Sequence, residues 1–439
     1  MFPTLHSASK PWYDRALEVM PAGCSRRALY PMRSYAAGGE GSRLQTLDGE
    51  HLLDGSNNFM VLIHGHRHQA TVEALGRQLG SGLCFGMADT SEVRLAEHIG
   101  GRVKALDQLM FCNSGSEAVM HALKAARVLT KRSKIVKCEG LYHGSYDFAE
   151  VSNAPPVEPG RQGFPQARAN GPYMSPNIVE DVIVTPFNNL PVTEAIIKEH
   201  HASIAAILID PLPSRIGYKR ADRSFVEGLR SLCDSYGIIL IFDEVASFRV
   251  AHGGAQSYYG VSPDLTVFGK IIGGGLPVGA VGGKEAMMRI LDPREGSASM
   301  SFTGTFNANP LSMVAGLATL EAYDEHQISV LNAKGDRLRE NIAAGAVKKG
   351  LPIEVSGEAS FLAFYFAPRI GNDYHAVATR PEELSTVDHL WNAALDLNLL
   401  IDTSGRMNIS TAYSDADIEE AGDIVLAAAE TALNKSIRN

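Results

Sequence analysis

Short, continuous apolar runs that alternate with helix-like segments constrain the fold of this chain more than any other feature. The runs have the length of β-strands and cover residues 109–112, 135–138, 182–184, 205–209, 238–242 and 265–268. Strands that are apolar throughout indicate a mainly parallel sheet, because helices then cover both of its faces. We therefore predict an α/β fold for the middle of the chain.

The two ends of the chain differ from this middle part. In the first 50 residues, Asp48-Gly49 stands between two strand-like stretches and predicts a hairpin turn. Helical patterns over residues 321–344 and 415–435 enclose short strand-like segments. We predict a large domain over residues 51–320 and a smaller α+β domain over residues 321–439. The N-terminal segment, residues 1–50, is predicted to form part of the smaller domain.

Composition and charge argue against several classes of protein. The 439 residues include five cysteines, an odd number without a CxxC pair, which disfavours a disulfide framework or a zinc site. A net charge of −9 gives no electrostatic reason to bind nucleic acid. No apolar run approaches the roughly 20 residues of a membrane span, and the first residues lack a secretory pattern. We expect a soluble, cytoplasmic protein, although the spacing of His64, His66 and His68 would suit a metal.

The start of one predicted helix has the residues that a phosphate site uses. Ser114, Gly115 and Ser116 follow the first apolar run, where small side chains and free backbone N–H groups suit a phosphate. Ser114, with Glu117 three residues later, also fits an ordinary capping box. The pattern alone leaves both interpretations open.

Asp243 and Glu244 follow the run at 238–242 with no basic residue beside them. A buried aspartate needs a cationic partner, or it becomes neutral. One interpretation is a salt bridge to a distant arginine. The other is a contact with the protonated pyridine nitrogen of a cofactor, which keeps the ring an electron sink.

Lys270 follows the run at 265–268 and is flanked by apolar residues and glycines. Most lysines at strand ends are surface residues. Apolar neighbours would instead desolvate this amine, which lowers its pKa and suits it to Schiff-base chemistry. Because Lys270 comes 27 residues after Asp243, one further strand fits between them and both side chains could reach one crevice.

These stretches together resemble the class-III aminotransferases, fold-type I enzymes that use pyridoxal 5′-phosphate (PLP). The most specific stretch covers residues 253–284, and the chain is similar to glutamate-1-semialdehyde aminomutase and its transaminase relatives over roughly residues 20–430. The resemblance implies a large PLP-binding domain with a mainly parallel, seven-stranded sheet and a smaller α+β domain from both ends of the chain. In this family residues 64–68 form a structural turn, so we predict no metal.

The resemblance also implies roles around the cofactor ring. Lys270 would form a Schiff base with PLP and later move a proton between carbon atoms, and Asp243 would pair with the pyridine nitrogen. Val245 would pack under the ring. Tyr142 would stack on the ring, with His143 beside it. An ordinary core aromatic remains the alternative for Tyr142.

For the phosphate, the resemblance implies contacts from two subunits. Ser114, Gly115 and Ser116 match the phosphate loop of the family. Thr305 matches a threonine that reaches the phosphate of the neighbouring subunit, which implies a homodimer with shared active sites. A helix cap remains the alternative for Thr305.

A substrate carboxylate calls for an arginine, because the guanidinium can bind it through two parallel hydrogen bonds. Arg26 and Arg27 lie where relatives carry such an arginine, and the local spacing leaves open which of them faces the site. Arg406 lies where some β-amino-acid transaminases place a second, mobile arginine, after a two-residue gap in the alignment. All three are candidates for substrate binding.

The substrate side of the chain departs from the aminomutase pattern. Asp210-Pro211 replaces Glu-Pro, and the stretch at 246–249 is one residue shorter. Residues 304–310 read Gly-Thr-Phe-Asn-Ala-Asn-Pro where aminomutases carry Gly-Thr-Leu-Ser-Gly-Asn-Pro. These changes favour a transaminase with a different substrate.

We therefore expect an aminotransferase that moves an amino group between an α- or β-amino acid and an oxo acid by way of pyridoxamine phosphate. An aminomutase, which moves the amine within one molecule, is the first alternative. A PLP-dependent racemase or decarboxylase, and a PLP-binding protein without turnover, are further alternatives. The expected partners are small molecules and a second copy of the chain, with neither nucleic acid nor a membrane.

Overall fold

A computed structural model of the chain describes residues 7–26, 29, 34–158, 164–295 and 299–438. The chain forms two compact units. The terminal unit contains residues 1–69, 330–369 and 379–439, and the central unit contains residues 70–329 and 370–378. The domain boundaries expected after residues 50 and 320 stay a prediction.

The strands are short and occur in all parts of the described chain. In chain order they are β1 (Ala36–Glu40), β2 (Arg43–Thr46), β3 (His51–Asp54), β4 (Gln108–Cys112), β5 (Lys134–Cys138), β6 (Val182–Thr185), β7 (Ile204–Ile209), β8 (Ile239–Asp243), β9 (Leu265–Gly269), β10 (Gly279–Gly283), β11 (Glu354–Ser356), β12 (Phe361–Tyr365), β13 (Leu399–Leu400) and β14 (Arg406–Asn408).

The helices range from single turns to long terminal helices. In chain order they are α1 (Lys10–Val19), α2 (Asn57–Met60), α3 (Gln69–Ser81), α4 (Thr90–Arg102), α5 (Gly115–Thr130), α6 (Asp147–Glu150), α7 (Pro176–Glu180), α8 (Leu190–His200), α9 (Arg223–Tyr236), α10 (Glu285–Met288), α11 (Pro310–Ala322), α12 (Glu325–Lys349), α13 (Tyr374–Val377), α14 (Leu384–Asp396) and α15 (Asp415–Arg438). Over the described residues, no helix combines the length and apolar character that a membrane crossing needs.

The central unit is built on a seven-stranded sheet with the order β4-β10-β9-β8-β7-β5-β6. Strands β9, β8, β7, β5 and β6 are parallel. Strand β10 pairs antiparallel with both β4 and β9. The predicted mainly parallel sheet is therefore confirmed, and the six apolar runs of the sequence are six of its strands.

Burial explains why these strands are apolar along their whole length. Every residue of β7, β8 and β9 is buried. Helix α5 covers the sheet with a face of small side chains, since Ala118, Ala122 and Ala126 are fully buried in the same core as Leu208 and Ile241. A stable core on both faces holds the strand ends in fixed positions.

The terminal unit contains two smaller sheets, with the orders β1-β2-β3-β13 and β11-β12-β14. Strands β2 and β3 pair antiparallel around the predicted turn at Asp48-Gly49. Gly49 has a φ of +85°, a conformation that glycine adopts without steric cost. The hairpin prediction is confirmed.

Candidate active site

Strands β7, β8 and β9 lie side by side, and their carboxyl ends form one edge of the sheet. Ile209 pairs with Phe242, so Asp210 and Asp243 stand at the same height on neighbouring strands. Lys270 follows directly after β9, the neighbour of β8 on its other side. Ligands of open α/β sheets bind at this edge. The fold therefore brings Asp210, Asp243 and Lys270 together where chemistry is expected.

Asp243 is buried and accepts two hydrogen bonds. His143 Nδ1 lies 2.8 Å from its Oδ2, and the backbone N–H of Val245 donates to its Oδ1 at 3.0 Å. Burial lowers the pKa of His143, and the hydrogen bond with Asp243 opposes that shift. Because a neutral imidazole has one N–H and a carboxylate can only accept, we place the proton on Nδ1. Asp243 thus pairs with a histidine, where one interpretation of the sequence expected an arginine.

Asp210 has the same chemistry as Asp243 in a different environment. The backbone N–H of Leu212 donates to its Oδ1 at 2.8 Å. Burial, followed by the negative charge of Asp243, raises the pKa of the Asp210 carboxyl well above its usual range, and the charge of Lys270 opposes this shift. Two adjacent buried carboxyl groups cannot both ionise cheaply, so Asp210 holds its proton to a higher pH than an exposed aspartate does.

Lys270 begins a short 3-10 turn directly after β9 and has a φ of +50°. L-residues rarely adopt this left-handed conformation, and strained residues of this kind are concentrated at functional sites. Its side chain is partly buried, and its positive charge acts on the carboxyl group of Asp210. The amine therefore belongs to the same electrostatic cluster as the two acids.

The first turn of α5 shows that the capping and phosphate interpretations are compatible. Ser114 Oγ accepts a hydrogen bond from the N–H of Glu117 at 3.2 Å, and Glu117 Oε2 accepts one from the N–H of Asn113 at 2.7 Å. Ser114 is thus the N-cap, whereas Glu117 bonds to the residue before the cap and does not close the reciprocal capping box. Gly115 and Ser116 are the first two residues of the 16-residue helix, where backbone N–H groups have no partner within the helix.

Val245 packs between this helix start and the end of β9. A Cβ atom on Gly115 would lie 2.9 Å from Val245 Cγ2, and one on Gly269 would lie 3.2 Å from Val245 Cγ1. Ser116 Oγ also accepts a hydrogen bond from the N–H of Ser145 at 3.0 Å, which joins the helix start to the segment that follows β5. The glycines are needed for this close approach, because any larger residue would displace Val245.

The two residues with open alternatives are exposed. Tyr142 is 47% exposed, with the guanidinium carbon of Arg215 5.8 Å from its ring centre, so Tyr142 is not a core aromatic. Thr305 lies in an exposed turn, and helix α11 is capped by Asn309, whose Oδ1 accepts from the N–H of Leu311 at 3.0 Å. Thr305 is therefore not a helix cap. Both side chains are available to a ligand or a partner.

Of the three candidate arginines, the two described ones belong to the terminal unit. Arg26 Nη1 donates to Asn58 Oδ1 at 2.6 Å, and Arg27 lies outside the described residues. Arg406, on β14, donates from Nε to Asp402 Oδ2 at 3.1 Å. Each guanidinium is thus oriented by a polar side chain of its own unit.

The three histidines spaced for a metal have other partners. His66 Nε2 lies 2.8 Å from Asp54 Oδ2, and His64 Nδ1 lies 2.7 Å from Thr411 Oγ1. The rings of His64 and His68 stack with centres 4.3 Å apart. In the part of the chain that the structure describes, no three His, Cys, Asp or Glu side chains are grouped to hold a metal ion.

Sequence reasoning noted Asp210 as a departure from the aminomutase pattern and gave it no place in the site. Its position beside Asp243 follows from the pairing of β7 with β8. The signal in the sequence was an acid directly after a wholly apolar strand, the same signal that identified Asp243.

Comparison with known proteins identifies the family. The model of the class-III aminotransferases matches residues 26–424. A glutamate-1-semialdehyde 2,1-aminomutase from Caldivirga maquilingensis is 37% identical over 364 residues, which cover 81% of this chain and 82% of that protein.

Solved structures with the same fold agree with this match. An omega-transaminase from Sphaerobacter thermophilus is 40% identical, with a TM-score of 0.94, over 97% of this chain and 98% of that one. A transaminase with PLP bound is 34% identical, with a TM-score of 0.89, over 98% of each chain. The predicted fold-type I architecture is confirmed, and the chain belongs to the class-III aminotransferases, a family of PLP-dependent enzymes.

Proposed function

We propose that this chain is a PLP-dependent aminotransferase that moves an amino group between an α- or β-amino acid and an oxo acid. One observation carries the proposal: Asp243, buried and bonded to His143, ends the strand next to the one that Lys270 follows. A cationic ring and a carbonyl carbon on one small molecule would match this pair. The family match and the transaminase with PLP bound support the choice of PLP.

The geometry of the central unit fits PLP. Asp243 would accept from the protonated ring nitrogen, and Lys270 would bond to the carbonyl carbon. The phosphate would bind at Ser114, Gly115 and Ser116, where the glycine leaves room and the helix supplies N–H groups. Val245 and Tyr142 would contact the ring, with His143 holding Asp243 in place.

When bound, PLP supplies an electron sink for the carbon that carries the amino group. Lys270 would hold the cofactor and, once freed by an amine, its Nζ would act as the base that moves the proton between carbon atoms. Asp243 would hold the proton on the ring nitrogen. His143, whose pKa burial lowers, would orient Asp243 through their hydrogen bond.

The second candidate function is that of an aminomutase. The 37% identity to the aminomutase from Caldivirga maquilingensis favours it. The two activities differ in their need for an acceptor, because an aminomutase needs no separate oxo acid. The changes at Asp210-Pro211 and at residues 304–310 favour the transaminase. The 40% identity to an omega-transaminase supports the same choice.

Product analysis tests the proposal. The PLP-loaded protein is incubated with single α- or β-amino donors, with and without pyruvate or 2-oxoglutarate, and compared with Lys270→Ala. If the protein is a transaminase, a new amino acid should form only when the amino donor and the oxo acid are both present. Conversion of glutamate-1-semialdehyde alone, with no activity towards any donor and acceptor pair, would instead establish the aminomutase.

For the substrate carboxylate we propose Arg26, Arg27 or Arg406. Arg26 is oriented by Asn58, and Arg406 by Asp402. Replacing each arginine in turn by methionine identifies the one that binds the carboxylate. Loss of that arginine should raise KM for amino acids more than for amines that lack a carboxylate.

We further propose that the enzyme is a cytoplasmic homodimer in which Thr305 contacts the phosphate in the partner subunit. The exposure of Thr305 supports this role, as does an open groove of about 1050 Å³ lined partly by the neighbouring Gly304 and by Leu109 and Phe302. Light scattering gives the mass in solution. Mixing Lys270→Ala with Thr305→Arg subunits should restore some activity if sites are shared, because one site of each mixed dimer is intact.

A further inference from the structure

Lys137, on β5, is fully buried and bonded through its ammonium group to three backbone carbonyls. Nζ lies 3.0 Å from the oxygen of Leu141, 2.6 Å from that of Ala149 and 2.9 Å from that of Val151. A lysine ammonium has three N–H donors, so each one has an acceptor. A complete set of hydrogen bonds is what a buried cation requires.

The surroundings of Lys137 oppose its charge. Burial, followed by the charge of Arg215, lowers the pKa of Lys137 to about 7, and Cys138 and Glu150 act in the opposite direction. An apolar residue of the same length would avoid this cost, but it would leave the three carbonyls without their donor. The role of Lys137 is therefore to satisfy the three carbonyls of the segment that it binds.

That segment lies between β5 and the candidate active site. Leu141 directly precedes Tyr142 and His143, and His143 bonds to Asp243 at 2.8 Å. Ala149 and Val151 are at the end of the short helix α6, whose last carbonyls lack partners within the helix. Lys137 thus ties both ends of residues 141–151 to the sheet.

We propose that Lys137 is a positioning residue that holds residues 141–151 so that Tyr142 and His143 face the cofactor ring. The proposal rests on the proposed function, since it assumes that PLP binds beside Asp243. Lys137 touches neither the ring nor the substrate in this role. It acts through the carbonyl of Leu141 and the two residues that follow.

A control on the same strand separates positioning from general stability. Lys134 also donates from Nζ to a backbone carbonyl, that of Glu180, at the opposite end of β5 from residues 141–151. Lys134→Met and Lys137→Met both remove a lysine that bridges β5 to a carbonyl. Only the second change reaches Tyr142 and His143.

The test measures the visible circular dichroism of bound PLP, which reports ring orientation, together with the PLP dissociation constant and Tm. For Lys137→Met we expect a reduced or inverted dichroism signal. We also expect the PLP dissociation constant to rise about tenfold, the effect of losing the one hydrogen bond by which His143 supports Asp243. Lys137→Gln keeps two N–H donors and should fall between Lys137→Met and the wild type. Lys134→Met should keep the wild-type signal and affinity, whatever its Tm.

A double-mutant cycle identifies the route. If Lys137 acts through His143 and Tyr142, Lys137→Gln should have less effect on the dichroism of a His143→Phe, Tyr142→Ala protein than on that of the wild type. If Lys137→Met does not fold, Lys137→Gln decides. Wild-type dichroism and affinity in Lys137→Gln, or equal losses in Lys134→Met, would overturn the positioning role. Failure of the wild type itself to bind PLP would instead reject the proposed function.

Discussion

Asp210 and Asp243 are the same residue type at the same height on neighbouring parallel strands, yet their surroundings give them different properties. Asp243 accepts hydrogen bonds from His143 and from the N–H of Val245, which support a negative charge. Asp210 accepts from the N–H of Leu212, and burial beside Asp243 raises its pKa. One strand end is therefore suited to hold a cationic ring nitrogen, and the other carries an acid that keeps its proton to a higher pH.

The difference teaches that position at the sheet edge does not by itself determine function. Asp210 follows the wholly buried strand β7, and Asp243 ends the wholly buried strand β8. The charges of Asp243 and Lys270 both act on Asp210. What separates them is a partner 100 residues away in sequence, His143. The hydrogen-bond partners of each acid, more than its place on the strand, distinguish the two positions.

The largest expected effect comes from exchanging the two acids for amides. Asp243→Asn should lower kcat/KM about 10²–10³-fold, the range for loss of one preorganised electrostatic contact. Asp210→Asn should leave kcat/KM little changed, because an amide resembles a neutral carboxyl group. Steady-state kinetics of both variants with one donor and acceptor pair measures the ratio. Equal losses in the two variants would remove the distinction between the acids.

A smaller effect is expected from the partner of Asp243. His143→Phe leaves Asp243 with the N–H of Val245 and should raise the PLP dissociation constant about tenfold, the effect of losing one net hydrogen bond. His375→Phe is a matched control, because His375 Nε2 lies 3.0 Å from Glu139 in a second buried histidine–acid pair of the central unit. The control should lower Tm without a comparable loss of PLP affinity. If His375→Phe weakened PLP binding while His143→Phe did not, His143 would not support Asp243.

The smallest effect is a pH dependence of stability at Asp210. Since the pKa of Asp210 is raised in the folded state, its stabilising contribution is present at low pH and is lost as pH rises through that pKa. Asp210→Asn lacks this titration, so its Tm relative to the wild type should increase as pH rises from about 4, the ordinary pKa of an aspartate, through the raised pKa of Asp210. Where the group titrates, the change is at most about 1.4 kcal/mol per pH unit.

Thermal unfolding over this pH range makes the comparison, with Asp388→Asn as the control. Asp388 is exposed on α14. A constant Tm difference between Asp210→Asn and the wild type at every pH would show that Asp210 does not titrate differently in the folded state.

Much of this arrangement could be predicted from the sequence, because buried parallel strands are apolar along their whole length. Strands β8 and β9 were predicted in this way, and with them the places of Asp243 and Lys270. Strand β10 was not predicted, because Gly279-Ala-Val-Gly-Gly283 has few apolar side chains and is stabilised by its pairing with β4 and β9. Local pattern carries no information about such pairing.

The contacts that distinguish the acids could not be predicted. The bond from His143 to Asp243 joins the segment that follows β5 to the last residue of β8, and the raised pKa of Asp210 depends on burial and on its neighbour Asp243. The three hydrogen bonds of Lys137 could not be predicted either. Its acceptors are backbone carbonyls, and the sequence around a lysine does not reveal which carbonyls it will contact. Such contacts follow from the packed fold alone.

The most direct test of the central claim, that Lys270 holds PLP next to Asp243, is the absorbance spectrum of the PLP-loaded protein and of Lys270→Ala. For the wild type we expect a visible band that one amino donor bleaches and an oxo acid restores. Lys270→Ala should fold but lack that band, while Lys284→Ala, a control in which the altered lysine bonds to Asp107, should keep it. A wild type without the band, or a Lys270→Ala protein that retains it, would contradict the assignment.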